Sequence, residues 1–335
     1  MTFIQNTEII IRKSDKCISK IFFNNGINIV NFDSNFELIS SNKVIDNIKG
    51  STDIWFDIDE QDNIYGIYDD KQGSLIKIDI NDNKINKSSI ISYDNSKYTI
   101  SFPYISKIGK DTHIIYYLKD NKSKLYKLVH NIKRDKEEIM SIIDIVGYED
   151  INNFIAICDN TNISVFYFKI VKGYEEVFMC TLNNENSIWY SPIQITNSNK
   201  EKIHLSVTKG TNNTYHIAYS ENNSSKYQPI YKRVDLNKEG ISISDSVYVN
   251  KSSACNIPHI IEHKNILHMQ WIEYGNLNIS KSSDFGKSWG TPIIDDDSIE
   301  YPFIRYYYKS NCEADKEYKV SNVYGCRNYI NILGI

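Results

Sequence analysis

The stretch Ser-Ser-Asp-Phe-Gly-Lys-Ser-Trp at residues 282–289 has the chemistry of a tight turn that ends in an aromatic anchor. The carboxylate of Asp284 and the neighbouring hydroxyl groups can accept hydrogen bonds from backbone N–H groups of the turn. Gly286 can adopt a positive φ without a steric penalty, and the indole of Trp289 can pack into an adjoining sheet. The stretch therefore predicts a turn between two β-strands.

A degenerate second copy of this turn lies earlier in the chain. Asn184, Asn186 and Trp189 fall at the Asp, Gly and Trp positions of the first copy. Asn tolerates the left-handed conformation better than most residues, so Asn186 can replace the glycine. The residues that follow also correspond: Trp189-Tyr190-Ser191-Pro192-Ile193 parallels Trp289-Gly290-Thr291-Pro292-Ile293. Two spaced copies of one turn indicate a repeat architecture.

The first copy matches the pattern S-x-D-x-G-x-[S/T]-W, with Ser282 and Ser288 at its hydroxyl positions. It resembles the Asp-box (BNR repeat) of the sialidase-like β-propellers. The resemblance implies a propeller fold in which the Asp-box is a structural turn remote from the active site. It also implies, for an active sialidase, an arginine triad that grips a carboxylate, a Tyr/Glu nucleophile pair and a further acidic residue.

Sialidase activity is disfavoured by the scarcity of arginine. The sequence contains no Arg-Ile-Pro motif of the sialidase type, and it has only five arginines: Arg12, Arg134, Arg233, Arg305 and Arg327. Arg134 falls in a charged segment that is expected to be a solvated turn. A triad drawn from the other four stays open.

Two further repeats predict the strands. The first has a hydrophobic residue, Pro, an aromatic ring and Ile, and it occurs as Phe102-Pro103-Tyr104-Ile105, Ile257-Pro258-His259-Ile260 and Tyr301-Pro302-Phe303-Ile304. Proline cannot donate to a sheet but is tolerated at the first residue of a strand, so this repeat predicts strand starts. The second repeat predicts the second strand of a four-stranded blade; its copies are His113-Ile114-Ile115-Tyr116, His216-Ile217-Ala218-Tyr219 and His268-Met269-Gln270-Trp271.

These repeats predict an all-β fold, a single β-propeller domain of four-stranded antiparallel blades over residues 1–335. Seven blades of about 48 residues are favoured, at 7–42, 52–92, 102–139, 142–196, 202–249, 255–295 and 300–335. The last segment offers three strands, at Phe303–Tyr308, Tyr318–Tyr324 and Asn328–Leu333. Residues 2–5 are expected to supply its fourth strand and to close the ring. Six blades are possible if the N-terminal strands merge with the last sheet.

Charge and the N-terminal sequence restrict the partners. The formal net charge is −4 with both signs interspersed, so no basic surface is available for nucleic acid. Residues 1–16 contain no apolar stretch long enough for a signal peptide or a membrane span. We therefore expect a cytoplasmic protein by default, or a component of a spore or phage particle surface.

No metal and no cofactor is expected. The six cysteines lack the spacing of zinc sites, and only the last two could form a local disulfide; they are Cys17, Cys158, Cys180, Cys255, Cys312 and Cys326. His113, His216 and His268 could be metal ligands or acid–base groups. Because they recur at one strand position, we expect them to lie around the ring, each with a structural role.

The candidate binding residues are aromatic, histidine and arginine side chains near the starts of first strands, which in a propeller line the central channel or its rim. They are Trp55, Phe102, Tyr104, His204, Arg233, His259, Tyr301, Phe303 and Arg305. Aromatic rings stack on sugars and anchor protein partners. The leading hypothesis is therefore a non-catalytic propeller that recognises a glycan or a protein through this face.

Glycan cleavage is the alternative. Arg233 or Arg305 with a neighbouring Tyr, His or Glu, such as Glu273, could form a site at the channel mouth. Such a site is similar to those of polysaccharide lyases on propeller scaffolds, in which Arg neutralises a uronate and Tyr or His moves the proton. A third hypothesis, a purely structural interaction platform, predicts broad apolar patches. The sequence leaves the ligand and the oligomeric state open.

Overall fold

The structure is a computed structural model that describes residues 3–46, 54–81, 84–134, 137–147, 152–159, 162–183, 187–237, 240–251 and 254–326. Strands rich in β-branched and aromatic residues account for most of them, as the strand propensities of these residue types predict. The fold is all-β. No helix within these ranges is long and apolar enough to span a membrane.

Three antiparallel meanders come first along the chain. The first has β1 (Phe3–Arg12), β2 (Ile18–Phe23), β3 (Gly26–Phe32) and β4 (Leu38–Asp46); the second has β5 (Ile54–Ile58), β6 (Ile64–Asp69), β7 (Ser74–Asn81) and β8 (Lys84–Ser92); the third has β9 (Tyr98–Ile108), β10 (Asp111–Asp120), β11 (Tyr126–Arg134) and β12 (Glu137–Gly147). The boundary predicted between residues 139 and 142 falls within β12, which completes the third sheet.

Three more sheets follow with the same order of neighbours. They contain β13 (Ile155–Cys158), β14 (Ile163–Val171), β15 (Tyr174–Asn183), β16 (Ile188–Trp189) and β17 (Ile193–Gln194); β18 (Lys202–Lys209), β19 (Thr214–Asn223), β20 (Lys226–Asn237), β21 (Gly240–Ile243) and β22 (Val247–Tyr248); and β23 (Asn256–His263), β24 (Ile266–Glu273), β25 (Asn276–Ser282) and β26 (Ile293–Ile294). The three His-containing repeats lie in β10, β19 and β24, the second strands of their sheets, where the sequence predicted them.

The last segment joins the first sheet through two of its strands and the sixth sheet through a third. It contains α1 (Asp296–Glu300), β27 (Phe303–Ser310), a 3-10 turn (Glu313–Asp315), β28 (Tyr318–Lys319) and β29 (Asn322–Cys326). β27 pairs in parallel with β1 and antiparallel with β29, so the described strands form six hydrogen-bonded sheets. Residues 3–5 are not a separate strand, because β1 continues unbroken to Arg12. The strand predicted at 328–333 lies outside the described residues, and the number of blades stays a prediction.

The sheets are arranged as in a β-propeller. The first strands β1, β5, β9, β13, β18 and β23 contact one another in chain order, so they surround a common centre from which the sheets extend outward. Apolar side chains fill the spaces between neighbouring sheets. Trp271, for example, is fully buried with Ala218 and Tyr231 between the fifth and sixth sheets.

Two of the three Pro motifs mark bulges inside strands. β9 begins at Tyr98, before Phe102, and its register with β10 shifts at Phe102 and Pro103. The same shift occurs in β23 at Pro258. A bulge leaves one residue without its ladder hydrogen bond. Proline, which has no N–H to donate, therefore breaks no hydrogen bond at that position. The expectation that this motif starts a strand is wrong for β9, whereas Pro302 does precede β27.

Asp315 ties the last segment to the first strand. Its carboxylate accepts hydrogen bonds from Arg12 of β1 at 2.8 Å and from Tyr308 of β27 at 2.7 Å, and also from Ser310. The Asp315 side chain is only 12% exposed. The Asp315 carboxylate is therefore the shared hydrogen-bond acceptor of three donors that are largely shielded from water.

Replacement Asp315→Asn is expected to lower the free energy of unfolding by about 2–3 kcal/mol, because it leaves the half-buried Arg12 cation without its counter-charge. Urea denaturation measures the loss. The control is Glu313→Gln in the same turn, which removes an exposed ion pair with Lys316 and should cost less than about 0.5 kcal/mol. Equal effects of the two variants would contradict the role given to Asp315.

Candidate functional site

A cavity of about 600 Å³ lies between the first strands. Side chains of β1, β5, β9, β13, β18 and β27 line it. Residues 318–322 border it where the first strands end, and there the Ser321 hydroxyl donates to the Val207 carbonyl oxygen at 3.0 Å. A cavity of this size suits a small molecule or one to a few sugar rings.

Five of the nine candidate binding residues lie in this cavity. Trp55, Phe102, Tyr104, His204 and Arg305 all contribute to its lining. They come from three different first strands and from β27, so the fold brings together residues that are far apart in sequence. These five residues share one cavity, and their role in binding stays a prediction.

The other four candidates lie elsewhere. His259 is buried against Tyr324, with ring centroids 4.7 Å apart. Phe303 is fully buried in a core cluster with Tyr324, so it is not at a rim. Tyr301 is exposed before β27. Arg233 lies on β20, the third strand of its sheet, and pairs with Asp235 at 2.9 Å, outside the cavity lining.

Arg305 is a cation without an anionic partner in the described chain. Its Nη2 donates to Thr7 Oγ1 at 3.1 Å, its guanidinium lies 5.5 Å from the Tyr307 ring centre, and its Nε is buried with no hydrogen-bond partner among the described residues. The other described arginines each pair with a carboxylate: Arg12 with Asp315, Arg134 with Asp111, and Arg233 with Asp235. Arg305 is therefore available to an anionic ligand.

His204 is a neutral imidazole beside this cation. Burial, together with the positive charge of Arg305, lowers the pKa of His204 to about 4. At neutral pH the ring therefore carries one proton, and its other nitrogen can accept one. The backbone at His204 is left-handed, with a φ of 58°.

An aromatic wall continues from Arg305. Trp55 packs against Tyr104 with ring centroids 4.9 Å apart and against Tyr307 at 5.0 Å. Lys309 Nζ lies 5.6 Å from the Trp55 ring centre and forms a 3.0 Å ion pair with Asp57. Rings beside a cation suit the apolar face and the charged substituent of an acidic sugar.

Cys158 and Tyr104 are protonated groups of the cavity. Burial raises the pKa of the Cys158 thiol to about 11 and raises the pKa of the neighbouring Tyr104 well above its ordinary value. Neither group is a nucleophile at neutral pH, since thiolate and phenolate are the reactive forms. All six cysteines are free, so the local pair considered for Cys312 and Cys326 is not formed.

Thr7, Tyr307 and Lys309 also line the cavity, although no sequence motif marks them. Arg305, Tyr307 and Lys309 alternate along β27, and alternate residues of a strand project from one face. All three line the cavity. Given Arg305 as a candidate, the alternation of side chains along a strand indicates Tyr307 and Lys309 as further candidates.

Two of the three repeated histidines, His113 and His216, form structural contacts in separate sheets. His113 Nδ1 lies 3.0 Å from His130 Nε2, and Trp189 Nε1 donates to His130 Nδ1 at 3.1 Å. His216 Nε2 lies 3.1 Å from Glu262. Within the described ranges, no three His, Cys, Asp or Glu side chains are grouped so as to hold a metal ion.

The turn at 282–289 has the geometry that its residues predict. Asp284 accepts hydrogen bonds from the Ser288 amide at 2.9 Å and from the hydroxyls of Ser288 and Ser282. Gly286 has a φ of 82°, and a Cβ there would lie 2.0 Å from the Tyr231 ring. Trp289 packs edge-on against Tyr231 at 5.2 Å. Asn184 and Asn186 of the second copy lie outside the described residues.

No family model and no curated protein matches this sequence. Solved structures do match in three dimensions. An ulvan lyase of polysaccharide lyase family PL25, bound to -[GlcA(1-4)Rha3S]-, has a TM-score of 0.66 and 10% identity over 97% of this chain and 91% of that one. The polysaccharide lyase Uly1 has a TM-score of 0.53 and 8% identity over 86% and 81% of the two chains. The α-L-arabinanase of Penicillium chrysogenum has a TM-score of 0.51 and 10% identity over 84% and 94%.

These similarities establish the class of fold. At such low identities they support the all-β propeller but do not show the activity, which has to be inferred from the residues of the cavity. Membership of the Asp-box family stays a prediction from the turn at 282–289.

Proposed function

We propose that this chain cleaves a uronate-containing polysaccharide by β-elimination in the central cavity. The observation that carries the proposal is Arg305, whose guanidinium lines the cavity and pairs with no carboxylate of the described chain. A guanidinium binds a planar carboxylate through two parallel hydrogen bonds. The carboxylate of a uronate would supply the missing partner. The three-dimensional similarity to two polysaccharide lyases supports this choice.

The composition of the cavity favours elimination over hydrolysis. Retaining and inverting glycosidases use two Asp or Glu carboxyl groups at the reacting bond. None of the described residues that line the cavity is Asp or Glu. A sialidase-type triad is equally disfavoured, because Arg305 alone of the described arginines lines the cavity. Elimination needs instead a cation, a base and a proton donor.

Arg305, His204 and Tyr307 supply these three groups. Arg305 holds the substrate carboxylate and stabilises the negative charge that develops on it. Neutral His204 takes the proton from the carbon beside the carboxylate, and the released electron pair forms a C=C bond as the glycosidic C–O bond breaks. The leaving oxygen takes the proton of the Tyr307 hydroxyl, and solvent returns the proton from His204 to Tyr307.

The test is incubation of the purified chain with ulvan, polygalacturonate, alginate and hyaluronan, with arabinan as the neutral control. Elimination conjugates the new C=C bond with the carboxylate, so the ultraviolet absorbance should rise with at least one uronate polymer and stay constant with arabinan. New reducing ends without this rise would indicate hydrolysis and contradict the proposal. Binding without any product would favour the non-catalytic glycan recognition that the sequence suggests first.

A further inference from the structure

Three first strands carry the same backbone irregularity at the cavity. β9, β18 and β23 each shift register against the second strand of their sheet. At each shift a residue other than glycine has a left-handed backbone: φ is 54° at Phe102, 58° at His204 and 51° at Ile257. All three residues line the cavity.

This conformation is unfavourable for these residue types. A left-handed backbone brings Cβ close to the following carbonyl, and a β-branched residue such as Ile257 is a genuine outlier there. Contacts hold the strained residues in place: the Tyr324 hydroxyl donates to the Ile257 carbonyl at 2.7 Å, and Phe102 packs edge-on to Tyr117 at 6.3 Å. Strain that the surroundings maintain tends to occur where a side chain meets a ligand.

We infer that the three bulges determine ligand specificity by directing Phe102, His204 and Ile257 into the cavity. A bulge turns a side chain away from its normal alternation, and here the residue at each bulge lines the cavity. Phe102 and Ile257 contact the apolar face of the sugar ring, while His204 and Arg305 contact its polar side. This inference rests on the proposed function, since it takes a carboxylate-bearing sugar as the ligand.

The test compares Gly with Ala at Phe102 and at Ile257. Both substitutions remove the contacts beyond Cβ, but only Gly relieves the left-handed strain. The Gly variants should therefore melt at a higher temperature than the Ala variants, by about 1–2 °C. All four should bind glucuronate about ten-fold more weakly than the unaltered chain, measured by NMR titration with glucose as the neutral control.

Lys172 provides the matched control. It has a φ of 53° in the exposed turn before Gly173, far along the chain from any residue that lines the cavity. Lys172→Gly should likewise melt above Lys172→Ala, with glucuronate binding unchanged. Ala variants as stable as Gly variants at 102 and 257, or unchanged binding in all four, would overturn the inference. No glucuronate binding by the unaltered chain, or unchanged binding by Arg305→Ala, would instead count against the proposed function.

Discussion

Replacing Arg305 by Ala is expected to lower kcat/KM on the cleaved uronate polymer by about 10³-fold. The guanidinium is the group that stabilises the charge developing on the substrate carboxylate, and removal of one such donor costs about 10²–10³ in rate. Arg305→Lys keeps the positive charge but loses the two parallel hydrogen bonds, so its loss should be smaller, about 10²-fold. The initial rate of unsaturated product formation measures both variants.

The control for this prediction is Arg233→Ala. Arg233 is also an arginine of a blade, but it pairs with Asp235 and does not line the cavity, so its removal should leave kcat/KM within about two-fold. The melting temperatures of the Arg305 variants should also stay close to that of the unaltered chain, because Arg305 forms no ion pair with the described residues. Full activity of Arg305→Ala would exclude the proposed elimination.

The sequence indicates Arg305 as a candidate ligand-binding residue but does not distinguish it from Arg233. Both arginines occur in strands with neighbouring aromatic residues. The difference between them is the order of strands in the sheet, since Arg233 lies on a third strand and Arg305 lies at the centre. That order depends on contacts between distant strands, and no local sequence pattern encodes it.

The proline motifs also show a feature of the backbone that the local sequence does not determine. The sequence identifies Pro103 and Pro258 correctly as residues that donate no ladder hydrogen bond. A strand start and a bulge satisfy this requirement equally well, so the local pattern cannot separate them. The bulges place Phe102 and Ile257 in the cavity. The motif therefore marks a residue of the candidate site as well as a position in the strand.

The turn at 282–289 was predictable because its determinants are local. The carboxylate of Asp284, the hydroxyl of Ser288 and the backbone of Gly286 meet within a few residues, and their hydrogen bonds match the prediction. The number of blades is harder to predict from the sequence. It depends on how β27 and β1 pair, and no local sequence pattern encodes a pairing between strands so far apart in the chain.

The fold is expected to be clearly less stable at pH 5 than at pH 7. Five histidines have a depressed pKa because burial disfavours the imidazolium, with values of about 3 or 4: His113, His130, His204, His259 and His268. The unfolded chain takes up these protons below its ordinary pKa of about 6.5, whereas the folded chain does not. Their contribution is therefore fully present above pH 6.5 and is lost as the pH falls toward 4.

The size of this effect follows from linkage. Each histidine contributes roughly 1.4 kcal/mol per pH unit within the window. The five together remove about 3 kcal/mol between pH 7 and pH 6, and about 9 kcal/mol by pH 5. A protein domain has a total stability of about 5–15 kcal/mol, so a loss of this order should lower the urea midpoint clearly between pH 7 and pH 5. Asp284 and Glu262, with a pKa of about 2 each, stay ionised in this range.

Urea denaturation followed by tryptophan fluorescence at pH 7, 6 and 5 tests the prediction. In His268→Gln the decrease in the free energy of unfolding between pH 7 and pH 5 should be about 2 kcal/mol smaller, because one buried proton acceptor is absent. The control is Thr208→Val, which removes a buried hydroxyl and its hydrogen bond to the Ile260 carbonyl oxygen but no ionisable group, so it should lower the stability by the same amount at each pH. The hydrogen bonds give the physical reason: Trp189 donates to His130, so His130 must donate to His113 in turn. A further proton on either ring would break this chain, and a stability that stays constant from pH 7 to pH 5 would contradict the neutral, buried state of these histidines.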